Sequence, residues 1–188
     1  MSLRTHGREG GTSAWEPRSA AERGRRIHRG KVRPSQMTQF VGTHQNRLDA
    51  KGRVSIPAPF RNLLKNSDGI AALVLRPSHK HPCIEGWPPA MFEALAAPLQ
   101  TFDLFSEEQE DLAAALYADA HQMESDKEGR ITLPESLKEH AGLTEGVVFM
   151  GLGRTFQIWE PAAAERRRVE ARERVRARGL TLPGSSAA

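Results

Sequence analysis

Asp49-Ala-Lys-Gly-Arg-Val-Ser-Ile-Pro57 decides how the rest of the chain is read, because the same pattern returns as Asp126-Lys-Glu-Gly-Arg-Ile-Thr-Leu-Pro134. Asp, Gly, Arg and Pro recur at fixed spacing, with apolar residues at the two alternating positions after the Arg. Ordinary residue frequencies produce such a pattern at roughly one position in a million or fewer. Two copies 77 residues apart therefore mark a duplication. Each copy has one physical logic. The Asp-x-x-Gly segment is turn chemistry, and Gly52 and Gly129 supply the left-handed backbone a tight turn needs. The following Arg-apolar-polar-apolar run alternates like a half-buried strand. Pro57 and Pro134 then end the strand and open a short helix.

Working outward from the first copy, Phe40, Val41 and Leu48 furnish an apolar strand ahead of the turn, so residues 40–57 read as a strand-turn-strand hairpin. A helix is expected over 58–65, with Phe60, Leu63 and Leu64 on one face, and strands over 70–75 and 83–87. The second copy repeats this order: a helix over 136–141 stopped by Gly142, then strands over 147–150 and 156–159. Phe60 maps onto Leu137. Neither half has enough apolar residues for an independent core, so the two are expected to share one. Between them, residues 88–118 are helical, with a break at Pro98 and a capping box at Ser106-Glu-Glu-Gln109. After Pro161, Ala162 to Arg178 reads as a charged, solvated helix that frays.

Charge distribution limits what the composition can mean. The 188 residues carry a net charge of +4 and are 38% hydrophobic. Residues 1–36 hold a net +6 and residues 161–188 a net +4, so the middle, residues 37–160, is acidic at −6. Nucleic-acid binding by that middle must use a few concentrated cations and not a general positive field. No apolar run reaches the roughly 18 residues of a membrane span, and Cys83 is alone, so an intrachain disulfide is excluded. These features read as a soluble, intracellular protein. His79-x-His81-x-Cys83 has metal-capable residue types, but Pro82 interrupts it and no fourth ligand follows; it reads as a loop packed near Trp87. His44, His121 and His140 have no nucleophile partner by spacing, and Gly151-Leu-Gly153 lacks the rest of a dinucleotide fingerprint. An enzyme is not expected, and no metal or cofactor is implied.

The stretch from Met37 to Arg61, the second copy at Asp126 to Pro134 and the closing Gln157-Ile-Trp-Glu160 together resemble the MraZ family of bacterial regulators. The likeness covers about residues 37–163. It implies an α+β, mainly β fold: two interlocked SpoVT-AbrB swapped-hairpin-type modules, at 42–90 and 120–163, with a helical spacer at 91–118 and a charged helix and tail at 164–188. Residues 1–36 have no counterpart in the family pattern; they read as a disordered basic extension, with Met37 as the expected start. The resemblance further implies a ring-forming homo-oligomer such as an octamer, located in the cytoplasm and on the nucleoid. Its implied target is double-stranded DNA, at direct repeats upstream of the division and cell wall gene cluster that includes its own gene. The alternative is an antitoxin-like protein-interaction module of the same fold.

In that family the Asp-x-x-x-Arg element of each turn is the DNA-contacting signature, which falls here on Asp49 with Arg53 and Asp126 with Arg130. Arginine's planar fork matches guanine or two phosphate oxygens. Arg47, Asp49, Lys51 and Arg53 sum to +2, whereas Glu124, Asp126, Lys127, Glu128 and Arg130 sum to −1. The expected DNA-contacting set is thus Arg47, Asp49, Lys51 and Arg53, with Arg130 auxiliary. Gly52, Pro57, Asp126, Gly129 and Pro134 are expected to shape the turns.

Overall fold

Val54, Ile56, Ile131 and Leu133, the apolar positions of the two repeats, are all buried, and the architecture follows from where they point. The computed structural model describes residues 38–103 and 106–181; the 1–36 extension and the final Leu182–Ala188 lie outside them. The first half runs β1 (Thr43–Arg47), β2 (Arg53–Ser55), α1 (Ala58–Leu64), β3 (Ala72–Pro77) and β4 (Ile84–Trp87). The helical segment follows as α2 (Pro89–Ala96), a 3-10 turn (Ala97–Thr101) and α3 (Glu107–Tyr117). The second half repeats the order with β5 (His121–Glu124), β6 (Arg130–Thr132), α4 (Glu135–Ala141), β7 (Gly146–Gly151) and β8 (Phe156–Trp159), and α5 (Pro161–Ala177) comes last. The fold is α+β, built on an antiparallel sheet.

Strand pairing crosses between the halves. The six-stranded sheet has the order β1-β7-β8-β4-β3-β5. β1 lies against β7, with Thr43 opposite Met150 and Arg47 opposite Gly146. β5 lies against β3, with Ala72 opposite Glu124. β2 pairs with β6 in a separate two-stranded ladder. The expected turns are present at 49–52 and 126–129, but the strands flanking each turn take their ladder partners from the other half. A link within the first half survives at side-chain level, where the Asn46 amide donates to the Ser55 carbonyl.

One core serves both halves. Phe60, Leu64, Leu73, Leu75 and Ile84 from the first pack with Leu137, Val147, Phe149, Phe156 and Ile158 from the second, beneath the β2–β6 ladder. Phe60 is fully buried, its ring 5.1 Å from Phe40 and 5.5 Å from Phe156. β4 and β8 meet at Gly86 opposite Phe156, and a Cβ on Gly86 would stand 2.2 Å from the Phe156 ring. Glycine is thus required there by a close approach. On the opposite sheet face a smaller cluster joins Cys83, Val148, Met150 and Trp159 to Ala164 of α5.

Two readings need correction. The His79–Cys83 loop packs on Trp159, not Trp87: the His81 ring lies 5.7 Å from the Trp159 ring. Burial pushes the Cys83 thiol up to about 12, so it is an inert core group. The α5 helix is not solvated throughout. Glu160 caps it, accepting from the Ala162 and Ala163 amides at 3.0 and 2.7 Å, and Ala164 is buried against the sheet. Its apolar contact with the sheet is made by Ala163 and Ala164, which a search for large apolar residues overlooks. Among the described residues no helix is long and apolar enough to cross a membrane, and no group of three metal-capable side chains forms.

Candidate nucleic-acid interface

The two turns are built alike, atom for atom. The Asp49 amide bonds the Arg53 carbonyl and the Gly52 amide bonds the Asp49 carbonyl, both at 2.9 Å. One carboxylate oxygen of Asp49 accepts from the Lys51 and Arg53 amides, both at 2.9 Å. Its other oxygen accepts from the Arg53 guanidinium at 2.7 Å. Asp126 repeats the scheme with the Glu128 and Arg130 amides and the Arg130 guanidinium. Gly52 and Gly129 sit at φ +71° and +78°, where L side chains are strained. Asp is the residue this geometry needs, since a short carboxylate reaches both turn N–H groups and the arginine.

Hydrogen bonding holds Asp49 well below the ordinary carboxylate range, at about 2, chiefly through the Arg53 amide and then its guanidinium. Asp126 is lowered for the same reasons, and its carboxylate in turn raises Arg130. A depressed folded value means that the turn's stabilisation is complete above the unfolded carboxylate value near 4 and is lost as pH falls through about 2. A carboxyl carbon NMR titration of Asp49 is accordingly expected to show a midpoint near 2. A midpoint near 4 would mean that the carboxylate is not tied into the turn.

The β2–β6 ladder brings the two arginines together. Arg53 stands opposite Thr132 and Ser55 opposite Arg130, while Val54 and Ile131 face the core. Because side chains alternate along a strand, Arg53, Ser55, Arg130 and Thr132 share the outward face. The turns close onto the ends of this ladder, with the Ile56 amide bonded to the Gly129 carbonyl and the Leu133 amide to the Gly52 carbonyl. The result is one small outward surface with two guanidinium groups and two hydroxyls. It can offer forked donors and hydroxyl donors to phosphate oxygens or base edges.

The two arginines differ in engagement. Among the described residues Arg53 pairs with Asp49, whereas the Arg130 guanidinium bonds Asp126 and also Glu128 at 3.0 Å. Lys51 is exposed at the first tip. Arg47 lies at the end of β1 and pairs with Glu145 at 3.0 Å, both side chains 80% exposed, so part of the charge credited to it is neutralised from the other half. Pro57 and Pro134 each stand at the cap position just before α1 and α4.

Two further cations lie against the turns, and sequence reasoning missed them. Arg61 of α1 donates to the Glu128 carbonyl at 3.2 Å and lies against Gly129, where a Cβ would meet its guanidinium at 2.0 Å. Lys138 of α4 lies against Gly52, its Nζ 3.3 Å from where a Cβ would stand. Both are separated by the repeat offset of 77, so extending the alignment from Phe60 and Leu137 by one residue would have found the pair.

Comparison with known proteins agrees with the duplicated plan. A family model described as "MraZ protein, putative antitoxin-like" matches residues 39–114 and 116–173. A protein of Gluconacetobacter diazotrophicus named "Transcriptional regulator MraZ" is 65% identical over 149 residues, which are 78% of this chain and 93% of that one. Proteins of the same name from Gluconobacter oxydans and Xanthobacter autotrophicus are 63% and 44% identical, each over 74% of this chain and over 87% and 88% of their own lengths. With both halves matched in order and relatives covered over nearly their full lengths, the chain belongs to the MraZ family.

Proposed function

We propose that the chain is a DNA-binding transcriptional regulator, non-enzymatic, that reads double-stranded DNA with the outward surface of the β2–β6 ladder and its turns. The carrying observation is the shared face of Arg53, Ser55, Arg130 and Thr132, framed by two turns whose carboxylates hold the guanidinium groups in place. Holding an arginine before contact lowers the conformational freedom lost on binding. Arg53, Lys51 and Arg47 carry most of the contact, Asp49 positions Arg53, and Arg130 is auxiliary. Gly52, Gly129, Asp126, Pro57 and Pro134 set the turn shape. The shared strands are those of two interlocked SpoVT-AbrB type modules, at 42–90 and 120–163. The role suits the name carried by its relatives, and a protein with this role works in the cytoplasm, on the nucleoid.

Several copies acting on direct repeats would add avidity to a weak single head. Exposed Leu95, Phe102 and Leu112 give such a homo-oligomer apolar surface to use. The targets are direct repeats upstream of the division and cell wall gene cluster, including the protein's own gene. A mobility-shift assay on that upstream DNA, with no other protein present, is the test. Binding should weaken steeply between roughly 50 and 200 mM salt, as counterion release requires. No shift, or one indifferent to salt, would refute DNA reading. It would favour the antitoxin-like alternative, in which the apolar groove of about 470 Å³ lined by Leu95, Leu99, Phe102, Leu112 and Leu116 binds a partner protein.

A further inference from the structure

The strand exchange places a cation from each half on the turn of the other, and the two cations are in different states. Arg61 is committed: it donates to the Glu128 carbonyl and covers Gly129. Lys138 makes no such bond to the first turn. Its ammonium stands over Gly52, between Lys51 and Arg53 in the chain, and its ion-pair partner is Glu135, one helical turn away at 2.5 Å. The Lys138 side chain is 19% exposed and that of Glu135 72% exposed, so the carboxylate is the more solvated partner. Water can take its place when the lysine is drawn elsewhere.

We infer that Lys138, from the second half, completes the first turn's DNA-contacting surface as a phosphate contact, and that Glu135 restrains it until DNA competes for the ammonium. The inference rests on DNA reading by Arg53. The first turn then carries Lys51 and Arg53 in sequence and Lys138 laid over the Gly52 between them. An ammonium suits this position because phosphate contact asks only for a compact point charge. The second half therefore does more than scaffold the first: it supplies one of the first turn's charges. The first reading head is a composite of both halves.

Glu135 sets the sign of the test. Full-length Lys138→Gln, Lys138→Arg, Glu135→Gln and Arg53→Ala proteins are titrated onto a duplex fragment from immediately upstream of the chain's own coding sequence, at several salt concentrations. Lys138→Gln should weaken binding by about 3- to 10-fold and lower the magnitude of the salt slope by about one. Lys138→Arg should retain most of the affinity. Glu135→Gln should tighten binding by about 2- to 5-fold, and should have no effect when combined with Lys138→Gln. If the Lys138–Glu135 pair only stabilised α4, Glu135→Gln would weaken binding along with Lys138→Gln; that result overturns the proposal, as does Lys138→Gln with wild-type affinity and slope. Loss of binding in Arg53→Ala with none in Lys138→Gln refutes the role of Lys138 alone. No loss in either refutes DNA reading by this surface.

Discussion

Arg53→Ala is expected to reduce affinity for the upstream DNA by far more than Arg130→Ala, although the two residues occupy equivalent places in the repeat. The reason lies in what each guanidinium must give up. Among the described residues Arg53 bonds one carboxylate, that of Asp49, through Nε and Nη2. Arg130 bonds two, and Glu128 would have to be displaced from it in the face of incoming phosphate. A bidentate arginine contact is worth about 1–3 kcal/mol, and the loss multiplies across heads wherever several copies engage one operator. Binding at moderate salt should therefore fall by at least tenfold for Arg53→Ala and by only a few-fold for Arg130→Ala. A Glu128→Gln protein supplies the control: releasing Arg130 should raise its contribution, so Arg130→Ala should cost more in that background. Equal losses for the two arginines, or a greater one for Arg130, would remove the asymmetry.

The local part of this site was legible in the sequence because it depends on a few covalently close residues. Asp49, Gly52 and Arg53 lie within five residues, and a left-handed glycine followed by alternating polarity admits few backbone solutions. The buried positions Val54, Ile56, Ile131 and Leu133 followed from the same alternation. Partner choice did not. Period two says which face of a strand is buried but not which strand lies beside it, and β1 finds β7 about 100 residues away. For the same reason the charge total of +2 around the first turn was incomplete. Glu145, which neutralises part of Arg47, and Lys138, which adds a cation, arrive only through the crossing of the halves. Trp159 displaced Trp87 as the neighbour of His81 because β8 lies directly beside β4, bringing the last strand of the second half against the end of the first.

Phe60→Ala is expected to destabilise both halves together. Its ring is fully buried and meets Phe40, His44, Phe149 and Phe156 at centroid distances of 5.1, 5.0, 6.4 and 5.5 Å. Two of those partners, Phe149 and Phe156, belong to the second half. Removing a buried phenylalanine ring costs about 3–5 kcal/mol, a large share of the 5–15 kcal/mol that holds an ordinary domain folded. At this chain length the melting temperature should fall by about 6–20 °C. A core confined to the first half would loosen β3 and leave β7 protected. A shared core lowers amide exchange protection in β3 and β7 by the same free energy, because neither sheet segment keeps an apolar face to pack on once the other opens. The measurement is native-state hydrogen exchange on the variant, and continued protection of β7 after β3 has opened would show that the halves fold apart. One cooperative unit is also what the proposed DNA-contacting surface requires. The Gly52 carbonyl of the Arg53 turn accepts from the Leu133 amide, just past β6, so an opened second half would release the first turn along with its own.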